Sequence, residues 1–276
     1  MRFTRRMLFP ILLGWSLMQP AMASLMLHPT RLVFDKNQRA AQVELINNST
    51  ESATYRISLV NRRMSETGQF SAVDTPGPGE QFADAMLRYS PRQITLAPGT
   101  TQTVRVMLRK PAELAAGEYR SHLHFEKLPN AEGNTSIEAG QPDQRQIGVV
   151  LNVLVGVSIP VIVRHGDTAA AVTLGALALQ DGAGTAPQLA LELGRSGTAS
   201  VYGDLSVTFT PQGGAPSVVS AAGGVAVYPP NPLRRAVLPL ALPKGVKLAH
   251  GELRVSYRER PDAGGKLLAE AALVLP

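Results

Sequence analysis

Arg31, in the stretch HPTRLVFD, is a lone cation in an otherwise apolar strand-like segment. A guanidinium presents paired donors in a fixed plane, which suits it to clamping a carboxylate. The plainer reading is an edge-strand arginine that reaches solvent. Of the histidines His28, His122, His124, His165 and His250, only His122 and His124 have a spacing that puts both on one face of a strand, where two imidazoles could hold a metal. No acidic ligand pattern accompanies them, so a pair of solvent or cleft histidines is the better reading, and no cofactor is expected. The chain lacks cysteine, which removes thiol chemistry, and it carries no nucleophile elbow and no Gly-rich phosphate loop. Its residue types favour binding over catalysis.

The elements that would position Arg31 are strands. IGVVLNVLVGVSIPVIVR, Ile147 to Arg164, is uncharged until its last residue. Its length suits a membrane helix, yet Ile147, Val149, Leu151, Val153, Val155, Val157, Ile159, Val161 and Val163 alternate without a break, and Val and Ile dominate. That is a strand pattern. Pro160 is expected to mark where this strand ends or bends. Upstream, LMLHPTRLVF, AQVELIN, TYRISLV, TQTVRVMLR and GEYRSHLHFEKL read as further strands, separated by turns such as NSTES and the Pro98-Gly99 pair. NNST contains a glycosylation-type sequon but is more simply one of these turns. Short strands at this spacing predict a β-sandwich over residues 24–163. The polar stretch before Ile147 reads as a long loop. After Arg164 the composition shifts: HGDTAA reads as a junction, residues 164–276 are rich in Ala, Gly and Pro, and six strand candidates (AVTLGALAL, QLALELG, SVYGDLSVTFT, AVLPLAL, GELRVSYRE and KLLAEAALVL) predict a second sandwich.

The N-terminus sets the compartment. Arg2, Arg5 and Arg6 precede an apolar run from Met7 to Met18, and Ala21-Met22-Ala23 closes it with small residues. This is the pattern of a cleavable secretory signal over residues 1–23. Its removal takes the three arginines and leaves +3 of the formal +6. No Lys/Arg cluster points to nucleic acid.

TRLVFD, VELINNS, YSPRQITLAPGTTQTVRV, GEYRSHLHFEKLP and the long alternating strand before Val163-Arg164, taken in this order, resemble periplasmic pilus chaperones of the chaperone–usher pathway. RPDAGGK extends the resemblance into the second unit. It implies an all-β protein of two immunoglobulin-like β-sandwich domains in a boomerang arrangement, with pilus or fimbrial subunits and an outer-membrane usher as partners and no nucleotide or cofactor. The chaperone's last first-domain strand would complete the fold of a subunit that lacks one, a donor-strand complementation. By position, the donor residues would be Val149, Leu151, Val153 and Val155. Arg31 would anchor the subunit's C-terminal carboxylate. Glu118, Arg164 and Asp262 would form an interdomain ion network. The family's cleft lysine falls near Pro160, where this chain has none, leaving Ser158 or a cation from elsewhere to take its place. An unpaired apolar edge invites association, so the free protein is expected to cover it by self-association or with its 129–146 loop. A secreted structural or adhesin-like sandwich of a surface fibre is the alternative reading.

Overall fold

The computed structural model describes residues 25–129, 156–180, 186–243 and 245–276. The described part is built almost wholly of strands, and no helix in it is long and apolar enough to cross a membrane.

The first sandwich uses β1 (Leu25–His28), β2 (Leu32–Phe34), β3 (Ala40–Asn47), β4 (Ala53–Val60), β5 (Arg62–Met64), β6 (Phe70–Ala72), β7 (Leu87–Ser90), β8 (Gln93–Leu96), β9 (Thr101–Leu108), β10 (Gly117–Lys127) and β11 (Gly156–His165). One sheet runs β1-β3-β9-β7, the other β2-β11-β10-β4-β8, and β5-β6 stands apart as a two-stranded arm. Two of the changes of sheet, between β1 and β2 and between β7 and β8, fall at X-Pro steps, His28-Pro29 and Ser90-Pro91, both cis. Alternation fixes what each strand buries: Val43 and Leu45 of β3, and Val104 and Val106 of β9, are fully buried and meet Phe34, Tyr55, Leu96, Leu123 and Phe125 from the facing sheet. At the start of β10 the Tyr119 hydroxyl donates back to the Ala115 carbonyl at 2.9 Å, the tyrosine corner of immunoglobulin-like sandwiches. The NNST stretch is a turn in which Asn47, itself buried, donates to the Leu96 and Glu51 carbonyls and accepts from the Ser49 amide.

Pro160 does not end the strand. β11 continues through it from Gly156 to His165, pairing antiparallel with β10 throughout. On its other side β11 pairs with β2 only from Val161 to Val163, so among the described residues the stretch up to Pro160 is an edge, where a proline is tolerated in a sheet. The strand also has two buried faces at this end. Ile159, Val161 and Val163 enter the first core, whereas Ile162, on the opposite face, is fully buried in the second domain's hydrophobic cluster.

The chain passes to the second sandwich through residues 166–169. β12 (Ala170–Gln180), β13 (Gln188–Gly197) and β16 (Leu233–Pro239) form one sheet; β15 (Ser217–Val227), β14 (Val201–Pro211), β17 (Gly251–Arg258) and β18 (Leu267–Leu275) form the other. Leu189, Leu191 and Leu193 alternate into the core against Val207, Phe209, Leu253, Val255 and Tyr257. β15 is the strand the sequence hid: SVVSAAGGVAV is mostly small residues with low strand preference, and its place comes from pairing with β14.

Candidate functional site

The two sandwiches meet across a polar seam with a cleft of about 600 Å³ at its mouth, lined by His28, Arg31 and Arg164 on one wall and by Ser200, Tyr202 and Arg260 on the other. Three local structures present these groups. The bend at Pro29 delivers Arg31 at the entry to β2. The antiparallel register of β10 and β11 sets Glu118 opposite Arg164. The β13–β14 turn presents Ser200, and Arg195 holds that turn in shape by donating to the carbonyls of Gly197, Ala199 and Asn231 at 2.7–3.0 Å.

Glu118 is the hub. Its side chain is 1% exposed, and its Oε2 accepts from Arg164 Nε at 3.2 Å, from the Ser200 amide at 3.0 Å and from the Ser200 hydroxyl at 3.0 Å. The same hydroxyl accepts from Arg31 Nη2 at 2.9 Å. Arg31 is thus tied to a buried carboxylate of its own domain through a serine of the other. Lys110 steadies the arrangement by donating to the Arg164 carbonyl at 2.6 Å.

Behind the cleft, aromatic rings and guanidinium groups stack in a row across the seam. Arg260 lies 5.9 Å and Arg31 4.5 Å from the Tyr202 ring centroid; Arg31 is also 5.6 Å and Arg120 4.2 Å from that of Tyr228; Phe70 is 6.2 Å from Tyr228 and meets His122 edge-on at 5.3 Å. Arg120 is 8% exposed and donates to the Arg62 carbonyl, and burial pulls its guanidinium below the usual arginine range. His122, 3% exposed, is pushed down to about 3, first by burial and then by the Arg120 and Arg62 charges. It stays neutral, as a packing group against Phe70. His124 is shifted in the same direction, mainly by burial, and among the described residues no group of His, Cys, Asp and Glu is arranged to hold a metal.

The row is held by the β5-β6 arm. Met64 leaves the first domain and is buried in the second domain's cluster, and its carbonyl accepts from Asn231 at 2.7 Å. The Arg235 amide donates to the Glu66 carbonyl at 2.7 Å, and their side chains pair. At the arm's turn, Gly68 has φ +81° and packs where any Cβ would meet the Arg234 guanidinium.

Of the residues singled out from the sequence, the structure brings Arg31, Glu118 and Arg164 together. It does not join Asp262 to them by an ion pair. The Asp262 side chain is 83% exposed, and its cationic contact is Arg260 Nε at 3.8 Å. That acid sits in the short turn after β17 and meets the neighbouring arginine rather than Arg164 across the seam. Ser158 pairs in register with His124 on β10. Val149, Leu151, Val153 and Val155, with the loop ahead of them, lie outside the described residues. Sequence reasoning missed Ser200, Tyr202, Arg120, Tyr228 and Arg260. Arg120, Ser200, Tyr202 and Arg260 fall within stretches read above as strands or motifs, but nothing in their spacing marks them as a site, and Tyr228 falls outside those stretches.

No family model matches the chain, and no curated protein matches its sequence. Solved structures do. The YadV chaperone aligns at 12% identity and TM-score 0.46, covering 92% of this chain and all of that one. The Pseudomonas aeruginosa CupB2 chaperone aligns at 12% identity and TM-score 0.46, covering 91% and 100%. The CsuC–CsuE chaperone–tip adhesion subunit pre-assembly complex of Acinetobacter baumannii Csu pili aligns at 12% identity and TM-score 0.45, covering 90% and 98%.

Proposed function

We propose that this protein is an exported, non-enzymatic chaperone that acts in the periplasm. It binds pilus or fimbrial subunits by donor-strand complementation and passes them to an outer-membrane usher. The observation that carries this reading is the state of Arg31. One guanidinium nitrogen is bound to Ser200, while Nη1 is buried with no acceptor among the described residues, at a cleft whose seam gathers arginines around the buried carboxylate of Glu118. A buried donor without an acceptor is costly, and a carboxylate supplies both the acceptor and the missing charge. β11 supports the reading too. It leads out of the first core as an edge strand, and residues 147–155 continue its alternation in sequence.

The roles divide by magnitude. Burying one large aliphatic side chain contributes about 1.5–3 kcal/mol, so Val149, Leu151, Val153 and Val155 together outweigh a charge-assisted hydrogen bond of about 1.5–3 kcal/mol at Arg31. The strand supplies affinity and Arg31 fixes register, since a one-residue slip turns every side chain to the other face. Co-expression with a candidate subunit in the periplasm tests this. Arg31→Ala lowers subunit recovery, and a charged residue at Leu151 or Val153 abolishes it. Normal recovery with all three variants refutes the mechanism.

A further inference from the structure

We infer that Arg260 is the second cation of the cleft, so that a carboxylate bound there is gripped from both domains. This deepens the proposed function and rests on its reading of Arg31 as a carboxylate anchor.

Arg31 and Arg260 share one platform, the Tyr202 ring, at 4.5 and 5.9 Å from its centroid. The two guanidinium carbons are therefore no further apart than those two distances combined, and both residues line the same cleft. Stacking on a tyrosine face leaves the in-plane N–H donors of a guanidinium free to point elsewhere. The backbone around Arg260 is fixed, because its carbonyl accepts from the amides of Ala263 and Gly265.

Arg260 already has two acidic neighbours, and both hold it loosely. Asp204 Oδ1 is 3.4 Å away and Asp262 Oδ1 is 3.8 Å away, against 2.7 Å for the Arg63–Glu80 pair. Asp204 is engaged elsewhere, accepting from the Gly224 amide at 2.8 Å, and Asp262 is largely in water. Charge-assisted N–H···O bonds prefer about 2.7–2.9 Å, so a carboxylate entering the cleft can offer Arg260 better geometry than either neighbour. On the other wall Arg31 has a donor to give, and Arg164 is committed to Glu118. Glu259, the remaining acid on the cleft wall, is on Arg260's own chain segment and forms no ion pair among the described residues. Arg260 thus offers the cleft a second cation, from the second domain.

The test uses a labelled apolar peptide with a free C-terminal carboxylate and the same peptide as its carboxamide, each titrated by fluorescence anisotropy against the full protein. Wild type is expected to prefer the carboxylate by about tenfold or more. Arg260→Gln should cut that preference at least threefold, and Arg260→Lys should restore most of it. If Arg260→Gln keeps the full preference while Arg31→Gln loses it, Arg260 is overturned and the proposed function stands. Equal binding of both peptides by wild type removes the carboxylate anchor itself. A second measurement needs no variant: the Arg260 Nε–Hε resonance should shift on titration with acetate and not with acetamide, and its constancy overturns the assignment.

Discussion

Replacing Glu118 with glutamine removes one charge and almost no volume at the centre of the seam. The amide oxygen can still accept from the Ser200 amide or hydroxyl, so the packing and one of the three hydrogen bonds at Oε2 survive. What disappears is the anion facing Arg164. Breaking a buried ion pair from one side costs about 3–5 kcal/mol when the survivor stays buried. Arg164 is 25% exposed and can turn partly to water, which places the expected loss at about 2–3 kcal/mol. Glu118→Ala should cost about 1 kcal/mol more, because the Ser200 amide and hydroxyl then lose their acceptor inside the seam. Urea unfolding read by circular dichroism gives these values from the midpoint shift at constant slope. In the Glu118→Gln background, Arg164→Gln should cost under about 1 kcal/mol, since its partner is already gone. A Glu118→Gln protein within about 0.5 kcal/mol of wild type, or additive losses in the double variant, would refute the view that this carboxylate organises the seam.

Two further outcomes follow from the packing. His122 has a folded-state value near 3 against 6.5 when exposed, so between those values the unfolded chain takes up a proton that the folded chain refuses. Stability should therefore fall as pH drops through that window, by about 3 kcal/mol at pH 4 from this residue. His122→Leu should flatten the urea midpoint against pH there, and an unchanged slope would show that the ring is not buried neutral. Met64→Ala empties a 3%-exposed site in the second domain's cluster although the residue belongs to the first. It should lower stability by about 2–4 kcal/mol and change the near-ultraviolet signal of the second-domain tyrosines; a change confined to the first domain would contradict the arm's position.

The strands of both sandwiches were legible wherever one face was apolar and the other polar, as at Val43 and Leu45 or at Leu189, Leu191 and Leu193. Arg31 stood out as a charge that its neighbours did not explain. Its partner did not, because the Arg31–Ser200 bond joins residues 169 positions apart and Ser200 has no pattern of its own. The β5-β6 arm was invisible for a related reason: Met64 and Phe70 matter through partners distant in sequence, Asn231 for the first and the His122 and Tyr228 rings for the second. Asp262 was expected in the ion network from the resemblance, yet it sits in an exposed turn with Arg260, 3.8 Å away, as its cationic neighbour. Ile162 lies on the face opposite the unbroken alternation of its strand, and nothing in the sequence says that a second body covers that face.

Ile162 has a consequence for how the two halves can vary. Its neighbours Val161 and Val163 belong to one core and it belongs to the other, so β11 acts as a reading frame with two messages printed on alternate letters. A single-residue deletion ahead of Val161 leaves the composition of β11 nearly intact, yet if the β10 pairing holds it exchanges the two messages and injures both cores together. Substitutions in this strand are therefore judged by two interiors at once, and the domains cannot drift apart in sequence here as they can along β3 or β17.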